Sequence, residues 1–181
     1  MESQRPILIR QRSSDNNHAL ATQCRQAFAA FFQKAGIQKR PRVVACGGRS
    51  QAIDRFNRAM KSGESPFLLI DSEGPPPAMP DANTHYIVQA MEAWFHADRT
   101  ALPGILRQCF KASALSGRPN VEEIPKGDLF EGLKCATRDC QKGEYSKGKH
   151  SFHILASIDP SKVRSISPHA ERLLTTLATF K

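Results

Sequence analysis

The stretch Pro66-Phe67-Leu68-Leu69-Ile70 is continuously apolar and is followed at once by Asp71-Ser72-Glu73-Gly74. An apolar run without alternation is typical of a strand that is covered on both faces of a sheet. Similar runs occupy 6–10 and 42–46, and helical patterns separate the three runs. Strands that alternate with helices predict βαβ units and a parallel sheet. Right-handed crossovers would place helices on both faces of that sheet.

The rest of the chain predicts one more strand and several helices. A fourth strand is predicted over 84–89, followed by a helix over 90–97. Earlier helices are predicted from Leu20 to Ala35, ending at Gly36, and from about 51 to 61. The second half is mostly helical, with Ser167 as the cap of the last helix. The predicted fold class is therefore α/β. We expect a single domain over 1–181, with a sheet core over about 5–100 and a helical C-terminal extension over about 101–181.

The composition favours an anionic partner. Lys and Arg total 26 against 17 Asp and Glu, which gives a formal charge of +9. Such an excess is common in proteins that bind nucleic acid. A basic protein without any polyanionic partner is the open alternative.

No apolar stretch approaches the roughly 18 residues that span a bilayer. The first residues lack the basic start and apolar run of a signal peptide. We therefore expect no membrane association and a cytoplasmic location. The five cysteines show no zinc spacing, and we expect all of them to be reduced.

The acidic pair Asp71 and Glu73 is the strongest candidate site. Ligands of open parallel sheets lie beyond the carboxyl ends of the strands, where Asp71 is predicted to be. Residues two apart in an extended chain point the same way, so both carboxylates would face one site. Paired carboxylates suit Mg²⁺ or Mn²⁺, which could assist phosphodiester hydrolysis. The alternative is a pair of solvated acids at a strand-to-loop corner.

Two further positions belong to the same predicted edge of the sheet. Glu92 lies in an apolar helix start after the fourth strand, so it needs a cation, a metal or a helix N-terminus. We count it as a third candidate catalytic acid. Arg49 lies in Gly47-Gly48-Arg49-Ser50, where backbone amides could hold an anion. A plain strand-to-helix turn is the alternative for this segment.

A basic loop is predicted over 141–150. Phosphate contacts need cations, and Tyr145 within the loop could stack on a base. A solvated loop is the alternative. The candidate nucleic-acid-binding residues here are Lys142, Lys147, Lys149 and His150.

Several segments together resemble the bacterial domain-of-unknown-function family 4276. They follow the family order along nearly the whole chain. The segments are Leu69-Ile70-Asp71-Ser72-Glu73-Gly74-Pro75, Val88-Gln89-Ala90-Met91-Glu92-Ala93-Trp94-Phe95-His96-Ala97-Asp98-Arg99, Ile124-Pro125-Lys126, Tyr145-Ser146-Lys147-Gly148-Lys149-His150-Ser151-Phe152 and Ser167-Pro168-His169-Ala170.

The resemblance implies a Toprim-like fold and Mg²⁺-dependent nucleic-acid chemistry. It also implies an ATPase partner, because family members often lie beside ATPase genes in loci associated with phage defence. Asp71 and Glu73 match the metal-binding acidic pair of Toprim domains. The Toprim Glu at the end of the first strand has no counterpart, because the chain reads Arg10-Gln11-Arg12 there.

Three functions follow from these patterns. The first is a Toprim-like nuclease that uses Mg²⁺ or Mn²⁺ at Asp71 and Glu73. The second is a non-enzymatic subunit that binds nucleic acid or a protein partner, in which Arg10 or Arg12 neutralises the acidic pair. Salt-bridge contact between these arginines and the acids would favour this function. The third is binding of a nucleotide or phosphometabolite at 47–50, which requires a phosphate-sized pocket there.

Overall fold

The computed structural model describes residues 6–10, 18–76, 78, 81–106, 109–140 and 143–180. Its sheet has four parallel strands in the spatial order β2-β1-β3-β4. The strands are β1 (Ile7–Arg10), β2 (Arg42–Ala45), β3 (Pro66–Asp71) and β4 (Thr84–Ile87). The helices are α1 (His18–Lys34), α2 (Arg49–Lys61), α3 (Glu92–Ala97), α4 (Leu102–Leu106), α5 (Lys126–Thr137), α6 (Lys147–Ser157), α7 (Pro160–Ile166) and α8 (Pro168–Thr179). The predicted α/β class with a parallel sheet is confirmed.

The strand order creates a crevice between β1 and β3. These neighbours pair directly, with Arg10 opposite Leu69. From β1 the chain passes through α1 to β2 on one side, and from β3 it passes to β4 on the other side. Such a point, where connections leave in opposite directions, is where open parallel sheets bind ligands.

Helices cover both faces of the sheet, as predicted. Alternate residues of β3 enter different hydrophobic clusters, because successive side chains of a strand point to opposite faces. Leu69 packs in the cluster that contains Phe28 of α1, whereas Leu68 packs in the cluster that contains Ala52 of α2. The burial of all six β3 residues explains the unbroken apolar run.

The C-terminal helices complete the larger cluster. Leu133, Ile154 and Leu173 share it with Trp94, whose ring stacks on Phe31 at a centroid distance of 5.0 Å. Ser167 caps α8 as predicted, since its hydroxyl accepts a hydrogen bond from the amide of Ala170. Across the described residues, no helix combines the length and apolarity that a membrane span needs.

The predicted basic loop over 141–150 is wrong from Lys147 onward, where α6 begins. The carbonyl of Ser146 accepts hydrogen bonds from the amides of Lys149 and His150, which closes the first helical turn. The helix forms because His150, Ser151, Ile154 and Leu155 bury one face while the lysines remain on the other side. Its cations therefore stand at defined positions.

The expectation that all cysteines are reduced is also wrong. Cys109 and Cys140 form a disulfide across a sequence separation of 31 residues, with their Cα atoms 5.1 Å apart. The sequence could not predict this pair, because it arises when the segment after α4 packs beside the end of α5. The amide of Lys111 donates to the carbonyl of Ala136 at 2.9 Å and holds the two segments together. The cysteines at 24, 46 and 135 are not part of a disulfide.

Candidate functional site

A buried ion pair lies at the crevice between β1 and β3. Arg10 ends β1 and Asp71 ends β3, and their side chains are 4% and 6% exposed. The guanidinium Nη2 donates to Asp71 Oδ1 at 2.7 Å. The same guanidinium lies over the ring of Phe28 at 5.6 Å, which fixes it from the α1 face. Asp71 is thus at the predicted strand end, with a cation beside it.

Arg49 also reaches the end of β3. It is the first residue of α2, and its Nη1 donates to the carbonyl oxygen of Asp71 at 3.0 Å. The predicted helix start at about residue 51 is therefore two residues late. The contact directs the first turn of α2 toward the crevice, so Arg49 contributes a second cation to the site.

Glu73 occupies a different environment from Asp71. Its backbone φ is 59°, so the chain is no longer extended after Asp71. The expectation that both acids point the same way because of strand geometry is therefore wrong. The Glu73 side chain is 51% exposed and its Oε1 lies 3.5 Å from Nζ of Lys126, at the start of α5.

Hydrogen bonds hold the loops after β3 and β4 together. Glu73 and Gln89 both have positive φ angles, and the amide of Glu73 donates to the carbonyl of Gln89 at 3.0 Å. The Ser72 hydroxyl accepts from the amide of Gln89 at 2.7 Å. Left-handed conformations cost roughly 1–2 kcal/mol per non-glycine residue. Such strain is often found at functional sites, and here it lies at the same edge as the acids.

Glu92 is fully buried beside Asp71. Its Oε1 accepts a hydrogen bond from the hydroxyl of Tyr145 at 2.7 Å. Nζ of Lys147 lies 4.0 Å from Glu92 Oε2 and 3.8 Å from Asp71 Oδ2, so this lysine stands between the two acids. Burial raises the pKa of the Glu92 carboxyl, although Lys147 and the Tyr145 hydroxyl favour its charged form. The site therefore contains an acid biased toward the protonated state.

This bias predicts how the Glu92→Gln substitution changes stability with pH. Because the folded-state pKa lies above 4.5, the stabilising contribution of neutral Glu92 is complete below pH 4.5 and is lost as the pH rises through the folded-state pKa. We therefore expect the unfolding free energy of Glu92→Gln minus that of wild type to increase as the pH rises from 4.5 through the folded-state pKa. The slope cannot exceed about 1.4 kcal/mol per pH unit for one group.

Urea unfolding at a series of pH values measures this difference. Glu123→Gln is the matched control, because it makes the same chemical change at an exposed side chain. A difference for Glu92→Gln that stays level or decreases with rising pH would contradict the raised pKa.

The other residues predicted to bind nucleic acid differ in how far solvent reaches them. Lys149 is exposed on α6, and Lys142 lies outside the described residues. His150 is buried, accepts a hydrogen bond at Nδ1 from the amide of Ser146, and stacks on the ring of Tyr145. Tyr145 is 3% exposed and holds Glu92, so its ring is not accessible to a nucleic-acid base.

The side chains at this edge do not fit a Mg²⁺ site as they are arranged. Magnesium requires about six oxygen ligands at 2.0–2.1 Å and is bound through carboxylates. Asp71 Oδ1 is bonded to a guanidinium, and Lys147 and Lys126 lie near the other acids. A divalent cation would stand beside fixed positive charges. Elsewhere in the described part of the chain, too, no three His, Cys, Asp or Glu side chains form a group suited to a metal ion.

Sequence reasoning identified Arg10, Arg49, Asp71, Glu92 and Lys147, which the structure brings to one edge of the sheet. It gave no role to Lys126, whose contact with Glu73 depends on where α5 packs. It also assigned Tyr145 to the surface, although this residue bonds to a buried acid. The only sequence signal for a buried Tyr145 was the chemistry of its side chain, an apolar ring with one hydroxyl that needs a hydrogen-bond partner.

The chain belongs to the family described as Domain of unknown function (DUF4276), whose model matches residues 50–178. The match includes Asp71, Glu73, Glu92 and Lys147, whereas Arg10 precedes it. No curated protein and no solved structure matches the chain.

Proposed function

We propose that this member of the family binds the phosphate backbone of nucleic acid at the carboxyl edge of its sheet, without cleaving it. The observation that carries the proposal is the buried pair of Arg10 and Asp71, with Nη2 and Oδ1 2.7 Å apart. The guanidinium supplies the positive charge that a metal ion would otherwise supply. Asp71 then serves to hold Arg10 and Lys147 at the crevice.

The charge around the crevice supports binding of an anion. Four cations approach three acids at this edge, and burial favours the neutral form of one of the acids, Glu92. The cations are Arg10, Arg49, Lys126 and Lys147. The side chains of Lys126 and Lys147 are 40% and 39% exposed, so both can reach a ligand in solvent. Lysine ammonium groups bind phosphates as point charges and carry no sequence information. We expect binding that is salt-sensitive and tolerant of base sequence.

Fluorescence anisotropy with labelled single-stranded DNA and RNA tests this function. For single strands, the logarithm of the binding constant should fall linearly with the logarithm of salt concentration, by about 0.7 per phosphate contact. We expect Lys126→Ala/Lys147→Ala to reduce the slope by about 1.4. Lys61→Ala is the control, because Lys61 ends α2 at the opposite edge of the sheet. Binding that ignores ionic strength, or a double variant indistinguishable from Lys61→Ala, would refute the proposal.

The alternative function is a metal-dependent nuclease, and Glu92 is the observation that favours it. A buried carboxyl with a raised pKa is typical of groups that transfer protons in active sites. Incubation with DNA or RNA in Mg²⁺ or Mn²⁺ distinguishes the two functions. Cleavage by wild type that disappears in Asp71→Ala would establish the nuclease, whereas we expect intact nucleic acid with both proteins.

A Toprim-like ancestry, an ATPase partner, a role in phage defence and a cytoplasmic location complete the proposal. They rest on the resemblance and composition of the chain. In this setting the protein is a nucleic-acid-binding subunit, and hydrolysis of ATP is the task of the partner. Co-purification with the product of a neighbouring ATPase gene tests the partnership.

A further inference from the structure

A second basic surface lies on the outer side of β2, the edge strand of the sheet. It is a groove of about 510 Å³ between the first turns of α1 and the middle of α2, and we call it the β2 groove. Its floor is the carboxyl end of β2 at 45–47. Its charged and titratable lining residues are His18, Arg25, Asp54, Arg55 and Arg58.

The charge of the β2 groove is strongly positive. Arg25 of α1 and Arg55 and Arg58 of α2 are exposed, and Asp54 is the one carboxylate among the lining residues that the structure describes. Arg25 donates to the hydroxyl of Thr22 at 2.9 Å, and Arg58 donates from Nε to the carbonyl of Asp54 at 3.3 Å. Because a guanidinium carries five N–H donors, such contacts do not prevent it from binding an anion. Its planar fork matches the oxygens of a phosphate.

The chemistry of the lining indicates which part of a ligand is bound. Among the described residues, no aromatic side chain lines the groove, and the apolar lining consists of Ala21, Ala45 and Cys46. Sites for nucleobases or small metabolites usually have aromatic or extensive apolar walls. A groove that offers arginines without such walls recognises charge. The ligand it fits is therefore the phosphodiester backbone.

The β2 groove and the crevice lie along one helix. Arg49 begins α2 and contacts the end of β3, whereas Arg58 lies nine residues later on the same helix. At 1.5 Å per residue the two positions are about 14 Å apart along the axis. The strand ends are also linked directly, since the amide of Cys46 donates to the carbonyl of Arg10 at 2.9 Å. A strand that contacts Arg49 could continue along α2 into the groove.

We propose that the β2 groove is a second contact for the backbone of the same nucleic acid, through Arg25, Arg55 and Arg58. This inference rests on the proposed function and extends it, because it gives the bound strand a path along α2. The path reads charge alone, so it adds affinity without sequence specificity.

The test compares two triple variants in the anisotropy assay with a labelled single strand. Arg25→Ala/Arg55→Ala/Arg58→Ala removes the arginines of the groove and should reduce the salt slope by about 2. Arg40→Ala/Arg42→Ala/Lys61→Ala removes the same charge from the amino edge of the sheet and should leave the slope near that of wild type. Arg25→Lys/Arg55→Lys/Arg58→Lys keeps the charge and should keep most of the slope.

Each outcome decides the inference. Binding by wild type with equal losses in both alanine triples would overturn the groove contact and leave the proposed function standing. Failure of wild type to bind would overturn both. Wild type could instead bind polyglutamate as tightly as nucleic acid and lose that binding in the groove variant. This result would overturn the inference and assign the groove to an acidic polypeptide. If the triple variant does not fold, Arg55→Ala/Arg58→Ala on exposed positions of α2 should still reduce the slope by about 1.4.

Discussion

Replacing Arg10 by methionine is expected to lower the free energy of unfolding by about 3–5 kcal/mol, because it leaves a buried carboxylate without its guanidinium partner. The Asp71 side chain is 6% exposed, and the 2.7 Å bond to Arg10 Nη2 compensates its desolvation. Methionine retains much of the apolar contact with Phe28 but none of the charge. The measurement is urea unfolding at neutral pH. A loss below about 1 kcal/mol, typical of solvated pairs, would show that the pair is not buried.

A double variant separates the pair from the packing around it. Arg10→Met/Asp71→Leu removes both charges, and buried pairs replaced by apolar residues often lose little or no stability. We therefore expect it to be more stable than Arg10→Met alone. A double variant as unstable as the single one would assign the loss to packing.

The single variant Arg10→Met also tests whether Arg10 stands where a metal ion would bind. A ligand that binds only the folded state stabilises it by RT ln(1 + [L]/Kd). If Arg10 keeps a metal ion away from the acids, about 10 mM Mg²⁺ should raise the urea midpoint of unfolding more for Arg10→Met than for wild type. Equal stabilisation of wild type by Mg²⁺ would contradict the displacement of a metal by Arg10.

Removing the disulfide is expected to have the second-largest effect, a loss of about 3–4 kcal/mol for the Cys109→Ser/Cys140→Ser variant. A crosslink that closes a loop of about 30 residues restricts the unfolded chain by this amount in the chain-entropy treatment. The bond also ties the segment after α4 to the segment between α5 and α6. At the end of α5, the Thr137 hydroxyl accepts a hydrogen bond from the amide of Tyr145 at 2.7 Å. Because the Tyr145 hydroxyl donates to Glu92, the position of Glu92 depends on this region.

Reduction provides the companion measurement. Dithiothreitol should destabilise wild type by a similar amount and leave the double variant unchanged. Cys135→Ser is the matched control, since Cys135 is a free thiol near the end of the same helix. A count of five reactive thiols in protein denatured without reductant, in place of three, would show that the bond does not form.

Local patterns were sufficient for the fold class and the order of the strands along the chain. The continuous apolar run of β3 and the helical spacing of Leu20, Cys24 and Phe28 are periodic signals that act over a few residues. The Ser167 cap and Gly36, with a φ of 75°, similarly depend on neighbouring backbone. The same patterns placed Asp71 at a strand end, and the carboxyl ends of parallel strands must meet at one edge of the sheet.

The partners of the acids depended on tertiary packing. The charges of Arg10 and Asp71 are 61 positions apart, and only the pairing of β1 with β3 brings them within 2.7 Å. Whether two carboxylates hold a metal or an arginine is a matter of distance and burial, which residue spacing does not contain. The sequence by itself determined a parallel α/β sheet with acids at its carboxyl edge. Tertiary structure alone decided that a buried guanidinium neutralises one of them, Asp71, because contacts between distant segments exist only once both strands have joined the sheet.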